Sequence, residues 1–316
     1  MKKISYCIIV LTLIISCGRN EVSTLEPTGY EVFQNITMEE GDLKAVFVDN
    51  SEIPPGHRAG YNGITELYHS LQDSSVFLPA IAGFNLEHIF SGDSLVQFFE
   101  PRVNPMTLYK KNSKTVLLHQ KTTPVSGVET LTELELVAPH YIDVTFRCII
   151  HNEDYFRHGY AGFFWASYIN APPDRNIYFK GIAKGRKEEG WVSAFSKVHG
   201  QESTHLKTDN NFETFFAPDF RIVLANNYSD HRYTMPFYFG RFHNMAFAYL
   251  FDSSEIIRFT QSPTGGGKTN PAWDFQYIIP DPEAEKEYSY RARLIYKPFI
   301  SENDIEEEYE RWINIK

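Results

Sequence analysis

The sequence predicts an all-β protein, an antiparallel β supersandwich with a short C-terminal helix. Three observations lead to this fold class. Runs of β-branched and aromatic residues recur along the chain, turns rich in Gly, Pro, Asn and Asp separate them, and a helical pattern is convincing only at the end. The 316 residues include 25 Phe, 19 Tyr and 4 Trp, and aromatic side chains favour strands.

The clearest strands lie within residues 128–150. From Ile142 onward apolar and polar residues alternate, as in a strand with one buried face, and Pro139 is expected to divide the stretch into two strands. Cys148 falls on the apolar face, so we expect it in the core. Residues 288–296 alternate in the same way. Further strands are predicted over 43–48, 96–99, 115–120, 176–181, 220–225, 245–251 and 272–279.

Two segments have helical patterns. Ser301 is a good N-cap, and Ile305, Tyr309, Trp312 and Ile313 share one face of the helix that would follow. We expect this helix to pack on the outside of the sandwich. A short helix is also predicted near residues 64–71.

The first seventeen residues indicate export. A basic start is followed by an apolar run over 4–15, too short to span a bilayer, and the small residue Ser16 precedes Cys17. This arrangement resembles the lipobox of bacterial lipoproteins. The resemblance implies that Cys17 becomes the mature N-terminus and carries acyl chains such as palmitate. The protein would then be anchored in the cell envelope at the outer membrane, on its periplasmic or surface face. An ordinary signal peptide cut nearby is the alternative.

The domain prediction follows from these patterns. We predict a lipoprotein signal peptide over residues 1–16, a lipidated tether over 17–30, and a single β-sandwich domain over 31–316 that ends in the helix. That body is long enough to bury a substantial core. It holds one cysteine, Cys148, so it must be stabilised by packing without an internal disulfide.

The net charge of the chain limits which partners it can bind. The formal net charge is −10 and no basic stripe is present, which argues against a nucleic-acid partner. The same balance argues against a polyanion bound by bulk charge, although not against a few well-placed arginines.

The chain contains one glycine-rich motif, over residues 262–269. The segment from Ser262 to Thr269 looks like a phosphate-binding loop, but Ser262 occupies the place of the first glycine, and Asn270-Pro271 cannot start the required helix in register. We therefore predict no nucleotide. The glycines are expected to form a mobile loop beside a site.

Polar residues interrupt the predicted strands at several places. We predict that these residues meet on one concave sheet face, because buried polar groups need partners. A histidine is the expected acid and a carboxylate, Glu100 included, the expected base, since these groups suit acid–base chemistry near neutral pH. The predicted catalytic residues are Glu87, His88, His140, Asp143 and His243. The predicted substrate-binding residues are His57, Arg58, Asn62, Glu100, Arg102, Trp165, Arg241, Trp273 and Asp274, with a tryptophan as a stacking floor.

A metal site is the competing interpretation of the same residues. The chemically able ligands are His57, Glu87, His88, His140 and Asp143. However, no pair has a helical ligand spacing, and the adjacent Glu87 and His88 would point to opposite faces of an extended strand. We predict no metal and no other cofactor.

Several segments resemble an exported bacterial lipoprotein family whose organisation is similar to the galactose mutarotase-like supersandwich. They are residues 82–88, Glu100-Pro101-Arg102, 139–143 and 271–274. That superfold includes aldose epimerases and domains of polysaccharide lyases and glycoside hydrolases. The resemblance therefore implies a carbohydrate ligand without settling the reaction. The epimerases use a histidine acid and a glutamate base, but their asparagine–arginine signature is not reproduced here.

Two functions follow as alternatives. The first is a carbohydrate-active exported lipoprotein with acid–base chemistry on a sugar, of the epimerase, glycosidase or lyase type. The second is a non-catalytic glycan-binding or assembly lipoprotein. Two titratable groups that converge on one pocket would favour the enzyme, whereas a binder needs only aromatic rings and amides.

Overall fold

The computed structural model describes residues 24–93, 98–252 and 256–314. The predicted signal peptide and Cys17 lie outside these residues. The structure is 50% strand and 9% helix, which confirms the predicted all-β class. No helix in the described part of the chain combines the length and the apolar composition that crossing a bilayer requires.

The described residues form strands throughout, with short helices between them and one longer helix at the end. A single 3-10 turn covers Glu153–Phe156. The strands are β1 Glu31–Phe33, β2 Asn35–Glu40, β3 Leu43–Val48, β4 Gly63–His69, β5 Asn85–Phe90, β6 Met106–Lys110, β7 Thr115–Gln120, β8 Val128–Val137, β9 Tyr141–Ile150, β10 Tyr160–Ala166, β11 Ile177–Ile182, β12 Glu189–Ala194, β13 Thr204–Lys207, β14 Tyr228–Tyr233, β15 Phe237–Phe242, β16 Met245–Phe251, β17 Ile256–Gly267, β18 Asn270–Pro280 and β19 Glu287–Pro298. The α-helices are α1 Glu100–Val103, α2 Val223–Asn226 and α3 Glu302–Asn314.

Sixteen of these strands join in one sheet, in the order β1-β6-β7-β8-β9-β19-β16-β15-β11-β14-β13-β17-β18-β10-β5, with β12 paired to β11. Strands β2, β3 and β4 form a separate three-stranded sheet. Neighbours run antiparallel except β13 and β14, which are parallel. The long sheet places β5, β10 and β18 at one end, far in hydrogen-bonding order from β8 and β9.

The sheet nevertheless closes on itself through its aromatic core. Trp165 of β10 contacts Phe146 of β9, with ring centroids 4.8 Å apart, and Tyr290 of β19 at 5.3 Å. Phe275 of β18 contacts Phe251 of β16 at 4.8 Å. Because these strands are not neighbours in the sheet, the contacts define two facing layers with the main core between them.

Each layer also buries side chains on its outer face. Helix α3 covers the outside of β15, β16 and β19, where Ile305, Tyr309 and Trp312 pack, and the Ser301 hydroxyl accepts a hydrogen bond from the Asp304 N–H at 3.2 Å. This confirms the predicted helix and its cap. The outside of β10 and β18 holds a second apolar cluster that includes Phe164 and Tyr168.

Some of the predicted strands and helices are confirmed, and others are wrong. The predicted strands 43–48, 115–120 and 245–251 coincide with β3, β7 and β16, Pro139 separates β8 from β9, and Cys148 is a buried free thiol. The helix predicted over 64–71 is wrong, because this segment pairs with β3 as strand β4. The strand predicted over 220–225 is also wrong, since Phe220, Ile222 and Ala225 pack into the outer cluster beside the short helix α2. Residues 98 and 99 form a turn, and 96–97 lie outside the described residues.

Candidate functional site

A cleft of about 270 Å³ lies on the outer face of β10 and β18. Strand β5, the segment before α1 and the segment that contains α2 complete its walls. Among the described residues its lining is Tyr61, Glu87, His88, Phe98, Phe99, Arg102, Phe164, Ala166, Tyr168, His199, Arg221, Ile222, Val223, Leu224, Ser262, Gly265, Ala272 and Asp274. A wider and shallower groove of about 680 Å³ adjoins it at Phe99 and Arg102. The smaller cleft is the candidate site, because several titratable groups converge there.

A β-bulge in strand β5 brings two adjacent titratable residues into the cleft. His88 pairs with Phe164 of β10 while Leu86 pairs with Trp165, so Glu87 has no residue opposite it. A bulge of this kind re-aims a side chain and often occurs beside active sites. The expectation that Glu87 and His88 face opposite sides of a regular strand is therefore wrong: both line the cleft, with His88 Nε2 3.2 Å from Glu87 Oε1.

Polar side chains surround the carboxylate of Glu87. Its Oε2 accepts hydrogen bonds from the Tyr168 hydroxyl and, at 3.3 Å, from the Asn85 amide. Burial by itself would raise the pKa of Glu87, but the bonds from His88 and Tyr168 and the charge of Arg102 outweigh it, and the net pKa is lowered. Glu87 is thus an ionised carboxylate at neutral pH.

His88 is fixed on both sides of its ring. The ring stacks on Phe99 with centroids 4.7 Å apart. The backbone N–H of Phe99 donates to Nδ1 at 3.4 Å, so in the neutral imidazole the proton resides on Nε2, which faces Glu87.

Asp274 is the second carboxyl group of the cleft. Its Oδ1 accepts a hydrogen bond from the Ser167 N–H at 3.0 Å, whereas no described residue hydrogen-bonds its buried Oδ2. Burial and the negative charge of Glu87 raise the pKa of Asp274 well above its ordinary value. Burial thus favours the neutral form of Asp274, and its Oδ2 has no hydrogen-bond partner in the described part of the chain.

Two aromatic rings hold the Arg102 side chain at the rim. Its guanidinium carbon lies 3.8 Å from the centroid of the Tyr61 ring and 4.5 Å from that of Phe99. One guanidinium nitrogen is 4.0 Å from Glu87 Oε2. His57 supports this arrangement from outside the cleft, because its Nε2 lies 2.7 Å from the carbonyl oxygen of Tyr61.

The β17–β18 hairpin contributes the opposite wall. The Ser262 hydroxyl is 2.9 Å from Nδ1 of His199, and both residues line the cleft with Gly265. The glycine-rich segment resembling a phosphate loop lies beside the candidate site, but the loop predicted for its glycines is wrong, because they belong to the end of strand β17. No helix follows it.

Of the predicted site residues, Glu87, His88, Arg102 and Asp274 meet in the cleft. The predicted concave face that would also hold the others is not formed. Arg58 is exposed on a loop, whereas Asn62 is buried and bonds Asn85 and the backbone of Leu86, which fixes the start of β5. The Glu100 carboxylate faces away from the cleft and accepts the backbone N–H groups of Val125 and Ser126.

His140 and Asp143 lie on the other layer of the sandwich. His140 is 3.9 Å from Glu308 of helix α3, and Asp143 forms a two-bond ion pair with Arg293 at 2.6 and 2.7 Å. Arg241 lies over the Phe299 ring, and His243 is exposed in the β15–β16 turn. These positions follow from strand order, because β9, β15, β16 and β19 all belong to the layer under α3.

The two tryptophans predicted as a stacking floor face the core. Trp165 stacks on Phe275 with centroids 5.0 Å apart, and the Trp273 ring lies against Gly240. In β10 and β18 the cleft-facing positions alternate with core-facing ones, so Phe164 and Asp274 line the cleft while Trp165 and Trp273 do not. The aromatic walls of the cleft are Phe and Tyr rings.

The predicted metal ligands do not converge. Only Glu87 and His88 are close together, and the His88 Nε2 proton faces the Glu87 carboxylate. A different trio, Asp42, His69 and His140, brings its ligand atoms within 4.8 Å of one another. However, His69 Nδ1 accepts the N–H of Leu71 at 3.1 Å, so its neutral ring keeps the proton on Nε2, the atom that faces Asp42. That proton occupies the lone pair a metal would need.

Eight polar or aromatic residues of the cleft were not predicted from the sequence: Tyr61, Phe98, Phe99, Phe164, Tyr168, His199, Arg221 and Ser262. Tyr61 and Ser262 lie in segments whose glycines had drawn notice. His199 and Arg221 lie in long loop segments, and nothing in their local sequence distinguishes them from surface residues.

No family model and no curated protein matches the sequence. Solved structures do match the fold. A galactose mutarotase-like protein from Lactobacillus casei is 9% identical with a TM-score of 0.46, and the match covers 83% of this chain and 99% of that one. A heparan sulfate lyase mutant from Pedobacter heparinus is 8% identical with a TM-score of 0.43, and the match covers 88% of this chain. A 4-alpha-glucanotransferase from Thermococcus litoralis is 9% identical, with a TM-score of 0.40 and 86% of this chain covered.

This chain spans 37% of the length of the lyase and 40% of the glucanotransferase. At these identities and TM-scores the similarity carries no conclusion about function, and the chemistry of the cleft depends on its own residues.

Proposed function

We propose that the protein is an enzyme that performs acid–base chemistry on a carbohydrate in this cleft. The observation that supports it best is the pair of carboxyl groups in one cleft with opposite surroundings: the hydrogen bonds of Glu87 lower its pKa, whereas burial raises the pKa of Asp274. Environments that push two titratable groups apart in pKa are how a site assigns one base and one acid.

The roles follow from the contacts. Glu87 is the general base, because it is ionised and its orientation is fixed by Tyr168 and His88. Asp274 is the general acid, because its raised pKa favours the protonated form and its Oδ2 has no partner in the described structure. His88 keeps its Nε2 proton toward Glu87 and stabilises that negative charge. Arg102 and Ser262 are placed to hold substrate oxygens.

A sugar fits the remaining lining. Phe98, Phe99, Phe164 and Tyr61 offer ring faces for the C–H faces of a pyranose, and the polar groups are few and directed, as in small-molecule sites generally. The glycan-binding alternative has no need of a carboxyl pair held in opposite states, and so the geometry favours the enzyme.

Screening the purified protein against a glycan panel, with product analysis, tests the proposal. Turnover should fall roughly 10²-fold or more in Glu87→Gln and in Asp274→Asn. Asp143→Asn is the matched control, because Asp143 pairs with Arg293 on the other layer. Full turnover in both cleft variants would refute the assigned roles, and binding without turnover of any glycan would favour the binder.

The location is a separate proposal that rests on the lipobox-like sequence. We propose that Cys17 carries the lipid anchor and that residues 17–30 tether the body to the envelope. In Cys17→Ala the protein should leave the detergent phase on phase partitioning. If it stays there, lipidation at Cys17 is wrong.

A further inference from the structure

We propose that the sugar bound in the cleft carries an anionic group, a carboxylate or a sulfate, and that Arg102 and Arg221 hold it. This inference rests on the proposed function, because it names the substrate class of the same cleft. It stands on the geometry of two arginines that line this cleft, neither of which forms a hydrogen bond to a carboxylate in the described part of the chain.

The Arg102 side chain is held in place, but its hydrogen-bond donors are not all paired. The Tyr61 and Phe99 rings flank its guanidinium, and its buried Nε has no hydrogen-bond partner in the described part of the chain. Its nearest carboxylate oxygen, on Glu87, is 4.0 Å away, beyond hydrogen-bond distance. A buried unpaired donor is costly, and an anion that accepts hydrogen bonds from this guanidinium would offset part of that cost.

Arg221 supplies a second guanidinium to the same cleft. It lies over the Phe98 ring, with the guanidinium carbon 4.9 Å from the centroid. Among described residues no carboxylate lies within ion-pair distance of it. Stacking on a ring leaves the edge of a guanidinium free, and that edge presents the planar fork that matches a carboxylate or sulfate.

The charge balance points the same way. The described lining holds two carboxyl groups and two guanidinium groups, and burial favours the neutral form of one of the two carboxyl groups, Asp274. The cleft thus has a local positive excess although the chain has a formal net charge of −10. An anionic substituent placed at the arginine side would balance that excess and keep its distance from Glu87.

The test is a calorimetric comparison of three oligosaccharide sets of matched length: unsubstituted, uronate-containing and sulfated. The full protein should bind one of the anionic sets at least about tenfold more tightly than the neutral set, and added salt should weaken that preference. The uronate and sulfate arms identify which anion the arginines hold. Equal binding of all three sets would overturn the inference.

Two variants link the preference to the arginines. Arg221 is exposed, so Arg221→Gln should fold normally. This variant should lose the preference for the anionic set by about tenfold or more, and that loss is the decisive readout. Arg102→Gln should lose the preference in the same way. Arg147→Gln, on strand β9, is the control and should keep the preference. An unchanged preference in both cleft variants would overturn the assignment.

The failure of this inference is distinguishable from failure of the proposed function. Turnover of neutral sugars alone, abolished by Asp274→Asn, would reject the anionic substrate and retain the acid–base enzyme. An arginine-dependent preference for anionic sugars with no turnover of any of them would retain the anion site and reject the enzyme.

Discussion

The raised pKa of Asp274 leads to a prediction about how stability changes with pH. In the folded protein burial and Glu87 raise its pKa well above the ordinary value of 3.8, and no described residue donates to its Oδ2. The unfolded chain releases that proton once the pH exceeds about 4. Above that pH the unfolded state binds fewer protons at this position than the folded state, so the folded state loses stability as the pH rises.

The magnitude follows from linkage. A group that is protonated when folded and ionised when unfolded costs about 1.4 kcal/mol of stability for each pH unit. Asn at this position keeps the shape of a protonated Asp and its acceptor for the Ser167 N–H, and it does not titrate. Asp274→Asn should therefore gain stability relative to the natural protein as the pH rises from 5 to 7, by up to about 2.7 kcal/mol.

Urea unfolding of both proteins at several pH values between 5 and 7 measures this. The difference between the two free energies of unfolding is the readout, because it cancels the groups that both proteins share. The lowered pKa of Glu87 puts its own titration below this window. Two curves that stay parallel from pH 5 to pH 7 would show that Asp274 is ionised in the fold, and the general-acid role would fall with it.

Two further predictions concern packing. Deleting residues 302–316 should remove helix α3 and lower the free energy of unfolding by roughly 2 kcal/mol for each of Ile305, Tyr309 and Trp312, while the circular dichroism of the sheet persists. An unchanged urea midpoint would contradict the packing. Gly240→Ala should cost about 1–3 kcal/mol, because its Cβ would lie 2.2 Å from the Trp273 ring. In the matched control, Gly190→Ala, the new Cβ meets no atom within 4 Å, so equal urea midpoints for the two variants would refute this account.

The aromatic walls of the cleft show the limit of reasoning from residue type. Tryptophans suit sugar stacking, and Trp165 and Trp273 were natural candidates, yet both are core residues. The alternation along β10 and β18 separates one set of positions from the other, but it does not say which set faces the main core. That depends on the second layer, whose Phe146 and Tyr290 receive Trp165.

The site was partly accessible from the sequence for a related reason. Glu87, His88, Arg102 and Asp274 stood out as polar interruptions, and they do converge. His140, Asp143, Arg241 and His243 stood out equally but lie in strands and turns of the opposite layer. Local sequence marks a polar residue in a strand, whereas long-range pairing decides which strands become neighbours.

The sequence alone determined the β class, the break at Pro139, the core position of Cys148 and the terminal helix with its Ser301 cap. Each of these depends on a period or a cap that a short segment contains. Tertiary structure alone decided that Glu87 and His88 share one cleft, because the bulge in β5 exists only against β10. It also decided the protonation of Asp274, since burial and the nearness of Glu87 are properties of the packed layers.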